Sequence, residues 1–392
     1  AVQGFAVYGF CRSHAAAFAR TSYETSWLKL NHAVEFGCGL LNNQPMGFYH
    51  PSVLVEDLKR HGVTVLPVDV NRSDVRCLPE LLFPVRPSSP PVPARAGLVQ
   101  ARYTPEPAHP ANESKTNRSA GPPSSGPTLP RRPTDLSVSV PSTHPVKTMT
   151  HALRVGFNYV RDLGEEGRKA IVDERARGLY ISFDDFLHRL RGAPVGPRAV
   201  RNLVMVGAFD ALGQPRRELL WGWQERWHGH GLRRGIDTQA ELRLNGTAPR
   251  LPTIDAFDAN QLEYRISDLS TGHHLIHFCR ERLRQLGALE SNKLAAVGNN
   301  RNVRVAGLVI TRQAPSTAKK IRFFTLEDEF GQVNVTIKPD VYERYRQVAN
   351  RQPILVIDGV MQRNDGVYSV LASHIEALPG VPRPPQKSHD YR

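Results

Sequence analysis

No apolar run in these 392 residues is long enough to cross a bilayer as a helix, and no signal-peptide pattern opens the chain. Cysteine is scarce: Cys11, Cys38, Cys77 and Cys279 lie far apart, with no Cys-x-x-Cys and no matched histidine pair. That spacing argues against a zinc module or a disulfide framework and suits a reducing, cytoplasmic setting. Also missing are a Gly-Lys-Ser/Thr phosphate loop and a Gly-x-Ser-x-Gly nucleophile elbow. No pair of aspartates one residue apart follows an apolar strand, as a two-metal nucleotidyl transferase needs; Asp69 stands alone in Pro-Val-Asp-Val. Acidic residues are in deficit, 37 against 51 Lys and Arg, which leaves a net charge of +14. The basic residues are spread along the chain, so the excess favours a polyanionic partner, nucleic acid before membrane.

The chain is organised around Ala152 to Leu212. Val160-Arg-Asp-Leu-Gly-Glu-Glu-Gly-Arg168 reads as a glycine-bracketed turn leading into a helical run from Lys169 to Arg177. Gly196-Pro-Arg-Ala-Val-Arg-Asn-Leu-Val-Met-Val-Gly-Ala-Phe209 repeats the idea, with Gly207 near the turn. A short helix, a glycine turn and a second helix leave free N–H groups at the positive end of a helix dipole, where a phosphate oxygen fits. Glycine lacks a Cβ, so the backbone can approach a sugar-phosphate chain. A tandem helix-hairpin-helix of this kind holds nucleic acid without reading sequence. Candidate contacts are Leu163, Gly164, Glu165, Gly167, Arg168 and Gly207.

Before this module, residues 1 to 76 read as compact and mostly helical. Ser13 is a candidate N-cap, with Ala16, Ala19, Tyr23, Trp27 and Leu30 on one face. A second helix covers Ala33 to Leu41, and Pro51 and Gly62 bracket a third. Residues 77 to 150 are expected to be a disordered linker. Sixteen of the 31 prolines fall between Pro79 and Pro145, too little apolar content to offset the chain entropy. After the hairpins at 151 to 213, residues 214 to 298 read as a helical connector. Leu275, Phe278, Cys279, Leu283 and Leu286 form a core stripe there.

Strand patterning takes over at residues 299 to 378. The segments Asn302–Arg312, Lys320–Glu327, Gln332–Ile337, Pro353–Gln362 and Gly366–Ala372, with a helix at Asp340–Gln347 after the third, follow the order of an OB-type barrel. The fold class is therefore multidomain α+β, ending in a tail at 379 to 392. Arg304, Lys319, Lys320, Arg322, Lys338 and Arg363 are candidates to line a groove, with Phe324 and Tyr368 offering rings to bases, as single-strand binding requires. Glu327-Asp328-Glu329 reads as a solvated hairpin, Ser182-Phe-Asp-Asp185 as a capping box, and His273-His274-x-x-His277 as incidental.

Several motifs together carry a resemblance. Tyr8-Gly-Phe-Cys-Arg-Ser-His-Ala-Ala-Ala-Phe-Ala19 and Ser22-Tyr-Glu-Thr-Ser-Trp-Leu-Lys29 resemble the bacterial C-family DNA polymerases, relatives of the polymerase III alpha subunit. Leu40-Leu-Asn-Asn-Gln-Pro-Met-Gly-Phe-Tyr-His-Pro51 and Leu66-Pro-Val-Asp-Val-Asn-Arg-Ser73 are more similar to the error-prone, damage-tolerant branch. Gly207-Ala-Phe-Asp-Ala-Leu-Gly213, Leu269-Ser-Thr-Gly272 and Thr325-Leu-Glu-Asp-Glu-Phe-Gly331 match in the same order, with Phe330 where a smaller residue is usual. The resemblance implies a C-terminal portion: the end of the fingers, a tandem helix-hairpin-helix and an OB domain. It implies Tyr8, Arg12 and His14 as contacts to the incoming deoxynucleoside triphosphate, with DNA as duplex and as single-stranded template, and other damage-response proteins, as partners. It also implies Mg²⁺ held by palm carboxylates outside this chain, so that the chain alone is inactive. The insertion departs from the family pattern. The rival reading is a non-catalytic binding protein built from hairpin and OB modules; a ligase-like enzyme lacks its Lys-x-Asp-Gly nucleophile here.

Overall fold

The computed structural model describes residues 12–47, 49–82, 151–229, 251–315, 320–364, 367–378 and 389–391. The chain divides into two units, residues 1–82 with 149–392, and residues 83–148. The second unit, and with it most of the expected linker, lies outside the described residues.

Helices α1 (Arg12–Asn31), α2 (Ala33–Asn42) and α3 (Pro51–Arg60) open the described chain. Pro51 sits in the first turn of α3, where its missing N–H costs nothing, and Gly62 ends the turn after it at φ +81°. Ser13 lies inside α1, and the Tyr23–Trp27–Leu30 stripe is exposed on it, not buried as expected. A small sheet follows. Strand β3 (His151–Arg154) lies between β1 (Val65–Leu66), parallel to it, and β2 (Leu78–Leu81), antiparallel. Residues 77 to 82 therefore belong to the folded body rather than to a linker: Cys77 is buried, and Pro79 is tolerated because β2 is an edge strand. Arg154 clamps both neighbours of β3. Its Nε and Nη2 donate to Glu80 at 2.6 and 2.9 Å, and Nη1 donates to the Pro67 carbonyl at 2.7 Å.

This sheet and the hairpin helices share one core. Val34 and Leu41 of α2, Leu58 of α3 and Leu153 of β3 form a continuous cluster with Ile171 of α4 (Glu165–Arg175), Phe183 and Phe186 of α5 (Phe183–Arg189) and Leu203 of α6 (Pro197–Met205). Phe209 packs edge-on to Phe183 and Phe186 at 4.9 and 5.0 Å. One buried cluster thus runs across the expected boundary between a fingers remnant and a hairpin domain. Helices α7 (Arg216–Gly229) and α8 (Ala256–Ser267) complete this body.

Helix α9 (Arg280–Gln285) precedes the barrel. The five barrel strands run close to their expected positions: β4 (Asn302–Gln313), β5 (Arg322–Glu327), β6 (Gln332–Ile337), β7 (Ile354–Asn364) and β8 (Val367–Ala377), with α10 (Pro339–Arg351) after the third. The order β5-β6-β8-β7-β4 closes where β4 pairs with β5. Alternation on β4 was expected to separate two faces, yet both are buried from Val305 to Thr311. Val303, Val305 and Val309 fill the barrel, while Ala306 and Leu308 pack outward on Leu275, Ile276 and Leu283. The chain's end is not wholly a tail either: β9 (His389–Tyr391) pairs in parallel with Thr311–Gln313.

The acidic run Glu327-Asp328-Glu329 is the largest departure from expectation. Glu327 and Asp328 are each 1% exposed. Arg60 of α3 reaches Glu327 at 3.0 Å, and Arg280 of α9 bonds Asp328 at 3.2 Å and Glu329 at 2.6 Å. Asp328 also accepts the Ser291 hydroxyl and the Ser291, Phe330 and Gly331 amides. The turn is a buried ionic joint between the helical body and the barrel. Removing one partner leaves an uncompensated buried charge, so Asp328→Ala should cost about 3–5 kcal/mol of unfolding free energy in a urea titration. A loss below about 1 kcal/mol would show that Asp328 is a surface residue in solution.

Arg154 also holds the Glu80 carboxyl below its usual range, chiefly through its side-chain hydrogen bond, against the opposing effect of burial. A folded-state pKa below the unfolded value stabilises the fold above the unfolded pKa, and this is lost as pH falls through the folded one. Stability measured downward from pH 6 should therefore decline less steeply in Glu80→Gln than in the parent.

Candidate nucleic-acid interface

The first hairpin runs from a one-turn 3-10 helix, Phe157–Tyr159, through a tight turn into α4. Asp162 adopts φ +64°, Leu163 is buried beneath the turn, and Gly164 is the exposed N-cap of α4. The second runs from α5 through Leu190–Val195 into α6. Gly192 adopts φ +81°, Val195 is buried, and Gly196 is the exposed N-cap. No side chain caps either helix, so the first amides of α4, and those of Arg198 and Ala199 behind Pro197 in α6, are left for an external acceptor. Two contacts lock the hairpins together. An added Cβ on Gly167 would lie 2.7 Å from the Pro194 carbonyl oxygen, and Asn202 donates to the Arg161 carbonyl at 2.7 Å and to Asp162 Oδ2 at 3.0 Å.

This geometry redistributes the expected roles. Gly164 is as expected, with open space around its missing Cβ. Gly167 is inside α4 and buried, a packing glycine and not a nucleic-acid contact. Gly207 follows α6 at φ +81°, and its absent Cβ makes room for the Arg216 guanidinium, which is paired with Asp210 at 2.6 Å. Leu163 is core. Arg168 is half-buried and its Nε clamps the turn through the Leu163 carbonyl at 2.8 Å. The exposed Glu165 side chain pairs with Lys169, which lowers its pKa, so at this position only the amide suits a phosphate. Gly192 and Gly196 complete the second hairpin; the apolar-Gly repeat Leu163-Gly164 and Val195-Gly196 was the signal for the latter. Around it, Arg191, Arg198 and Arg201 are exposed, and no ion pair engages them among the described residues.

The barrel face is less basic than expected. Phe324 is 2% exposed in the barrel core, with the Arg312 guanidinium over its ring; Phe323 is the exposed neighbour. Arg322 lies over the Tyr342 ring of α10, 4.8 Å from its centroid. Arg304 is bound to Asp358 at 2.6 and 2.8 Å and to the Leu286 carbonyl, outside the barrel. Tyr368 is half-buried against the core. Lys320 and Lys338 are exposed, while Lys319 lies outside the described residues. What the barrel does present is a concavity of about 830 Å³, lined in part by Phe323, Thr325, Asn334, Thr336, Ser369 and Tyr49, with no charged side chain among its described lining residues.

The remaining candidates give no catalytic centre. Tyr8 lies outside the described residues; His14 is exposed on α1, edge-on to Phe18 at 4.4 Å, and Arg12 is the first residue of that helix. Burial pushes the Cys38 and Cys77 thiols up to about 12 and 11, too high for nucleophiles at neutral pH. His274 caps the 3-10 helix Leu275–Cys279 and faces Glu327 at 3.7 Å, and Ser182 caps α5 by accepting the Asp185 amide at 3.0 Å. Among the described residues no three His, Cys, Asp or Glu side chains are placed to hold a metal ion. The buried carboxylates of Glu327 and Asp328 are engaged by Arg60, by Arg280 and by the Ser291, Phe330 and Gly331 amides.

Comparison with known proteins agrees with both modules. A helix-hairpin-helix motif model matches residues 131–219, and an OB-fold nucleic acid binding domain model matches residues 303–378. The error-prone DNA polymerase of Cutibacterium acnes is 33% identical over 100% of this chain, which covers 32% of that relative. That of Methylococcus capsulatus is 31% identical over 96% of the chain, covering 31% of the relative. Over nearly its whole length the chain is thus similar to error-prone DNA polymerases. It spans about a third of the length of the curated relatives it matches. Among solved structures, asparaginyl-tRNA synthetase from Pyrococcus horikoshii aligns with 24% of the chain at a TM-score of 0.21 and 18% identity. No helix among the described residues is long and apolar enough to cross a membrane.

The two hairpin glycines should separate in experiment. Gly167→Val meets backbone at Pro194, so it should lower the melting temperature by several degrees. Gly164→Ala meets open space and should leave the melting temperature nearly unchanged. A Gly167 variant as stable as the parent would remove the packing role assigned to that residue.

Proposed function

We propose that this chain is the nucleic-acid-holding C-terminal part of an error-prone DNA polymerase that acts in DNA repair and translesion synthesis. The observation that carries this reading is the pair of locked, glycine-capped helix N-termini, at α4 and α6, beside Arg191, Arg198 and Arg201. Amides at the positive ends of two helices bind phosphates of one duplex without reading its bases. The hairpins thus grip the primer-template duplex, and the barrel concavity takes the single-stranded template. Tyr8, Arg12 and His14 face the incoming deoxynucleoside triphosphate in the intact enzyme. Mg²⁺ and the palm carboxylates that hold it belong to the part of the polymerase absent from this chain, as do the contacts with other damage-response proteins.

Backbone binding sets a salt dependence. On duplex DNA, log K should fall linearly with log salt, by about 0.9 for each phosphate neutralised. Arg198→Ala and Arg201→Ala should each reduce that slope by about one while affinity falls equally for unrelated sequences. Fluorescence anisotropy over a series of salt concentrations measures both quantities. A slope unchanged in the double variant would sink the assignment of the hairpins to duplex binding.

A further inference from the structure

Tyr49 occupies a position that neither module accounts for. It belongs to the loop between α2 and α3 in the helical body, not to the barrel, yet it lines the barrel concavity together with Phe323. It also lines a second cleft, with Arg161, Asp162 and Arg168 of the first hairpin turn, Tyr159 and His50. Tyr49 is 52% exposed and Phe323 37%, so both rings present faces to solvent. Arg60 of α3, which reaches the buried Glu327, holds the helical body against the barrel, so this adjacency is built in. Between and around the rings the concavity offers Thr325, Asn334, Thr336 and Ser369, neutral groups that donate to and accept from base edges.

We propose that Tyr49 is a stacking residue for the first unpaired bases of a nucleic-acid strand leaving the duplex held by the hairpins, and that it passes that strand to Phe323 in the barrel. This rests on the reading of the hairpins and barrel given above and adds a junction site to it. The chemistry favours unpaired bases over other occupants. Aromatic rings stack on any base, and neutral hydrogen-bonding groups tolerate any sequence.

The test uses the full chain and three probes: a single-stranded oligothymidylate, a blunt duplex, and the same duplex with a single-stranded overhang. Tyr49→Ala should weaken the oligothymidylate and overhang probes by about tenfold and leave the blunt duplex unchanged. Tyr49→Phe keeps the ring and should retain affinity, which separates stacking from damage to the fold. With 5-iodouracil at the first unpaired position, photocrosslinking should label Tyr49; with it further along the overhang, the label should move to Phe323. If Phe323→Ala weakens single-strand binding but Tyr49→Ala does not, the junction site is overturned and the barrel reading stands. If neither change weakens single-strand binding, the barrel reading falls and the junction site with it.

Discussion

The architecture depends on burying charge. Glu327, Asp328 and Arg280 are withdrawn from water, which is costly for each alone and acceptable only because every carboxylate meets an arginine or a backbone amide. Such a knot has little tolerance for displacement, since a small shift exposes unpaired charge to a low dielectric. It therefore fixes the angle between two bodies that the chain joins only through α8, the following 3-10 turn and α9.

The same accounting changes how the net charge is understood. A charge of +14 points to a polyanionic partner, yet many of the arginines are engaged internally. Arg154 clamps a sheet, Arg280 and Arg60 hold the joint, Arg216 fills the space above Gly207, and Arg304 braces the outside of the barrel. Guanidinium suits these tasks because its planar fork satisfies a carboxylate and a carbonyl together. Among the described residues, cations without an ion partner include Arg191, Arg198 and Arg201 near the second hairpin and Lys320 and Lys338 on the barrel.

What the sequence made legible follows the range of the interactions involved. The barrel strands and the caps at Gly164, Ser182 and Pro51 depend on near neighbours in the chain, and their positions were readable from alternation and capping chemistry. Gly167, Gly207 and the acidic run were misassigned because the groups that define them, at Pro194, Arg216, Arg60 and Arg280, are placed by the fold and leave no local mark. Phe323 and Phe324 are adjacent aromatics, so alternation states that they face opposite ways without saying which faces inward. Arg304 and Arg322 looked free because the helices covering them, α9 and α10, come from outside the strands that carry them. Tyr49 had no signal at all: its neighbours in the barrel are more than two hundred residues away in the chain.

Strands β2 and β3 pair directly, Leu81 against His151, so the whole of residues 82–150 leaves and rejoins the body at one point. Closing so long an excursion costs only logarithmically more than closing a short one. The pairing thus makes the body indifferent to the length of what it carries there, and evolution can lengthen, replace or delete that segment without renegotiating the core. The antiparallel pair works as a socket that closes the folded body at one point.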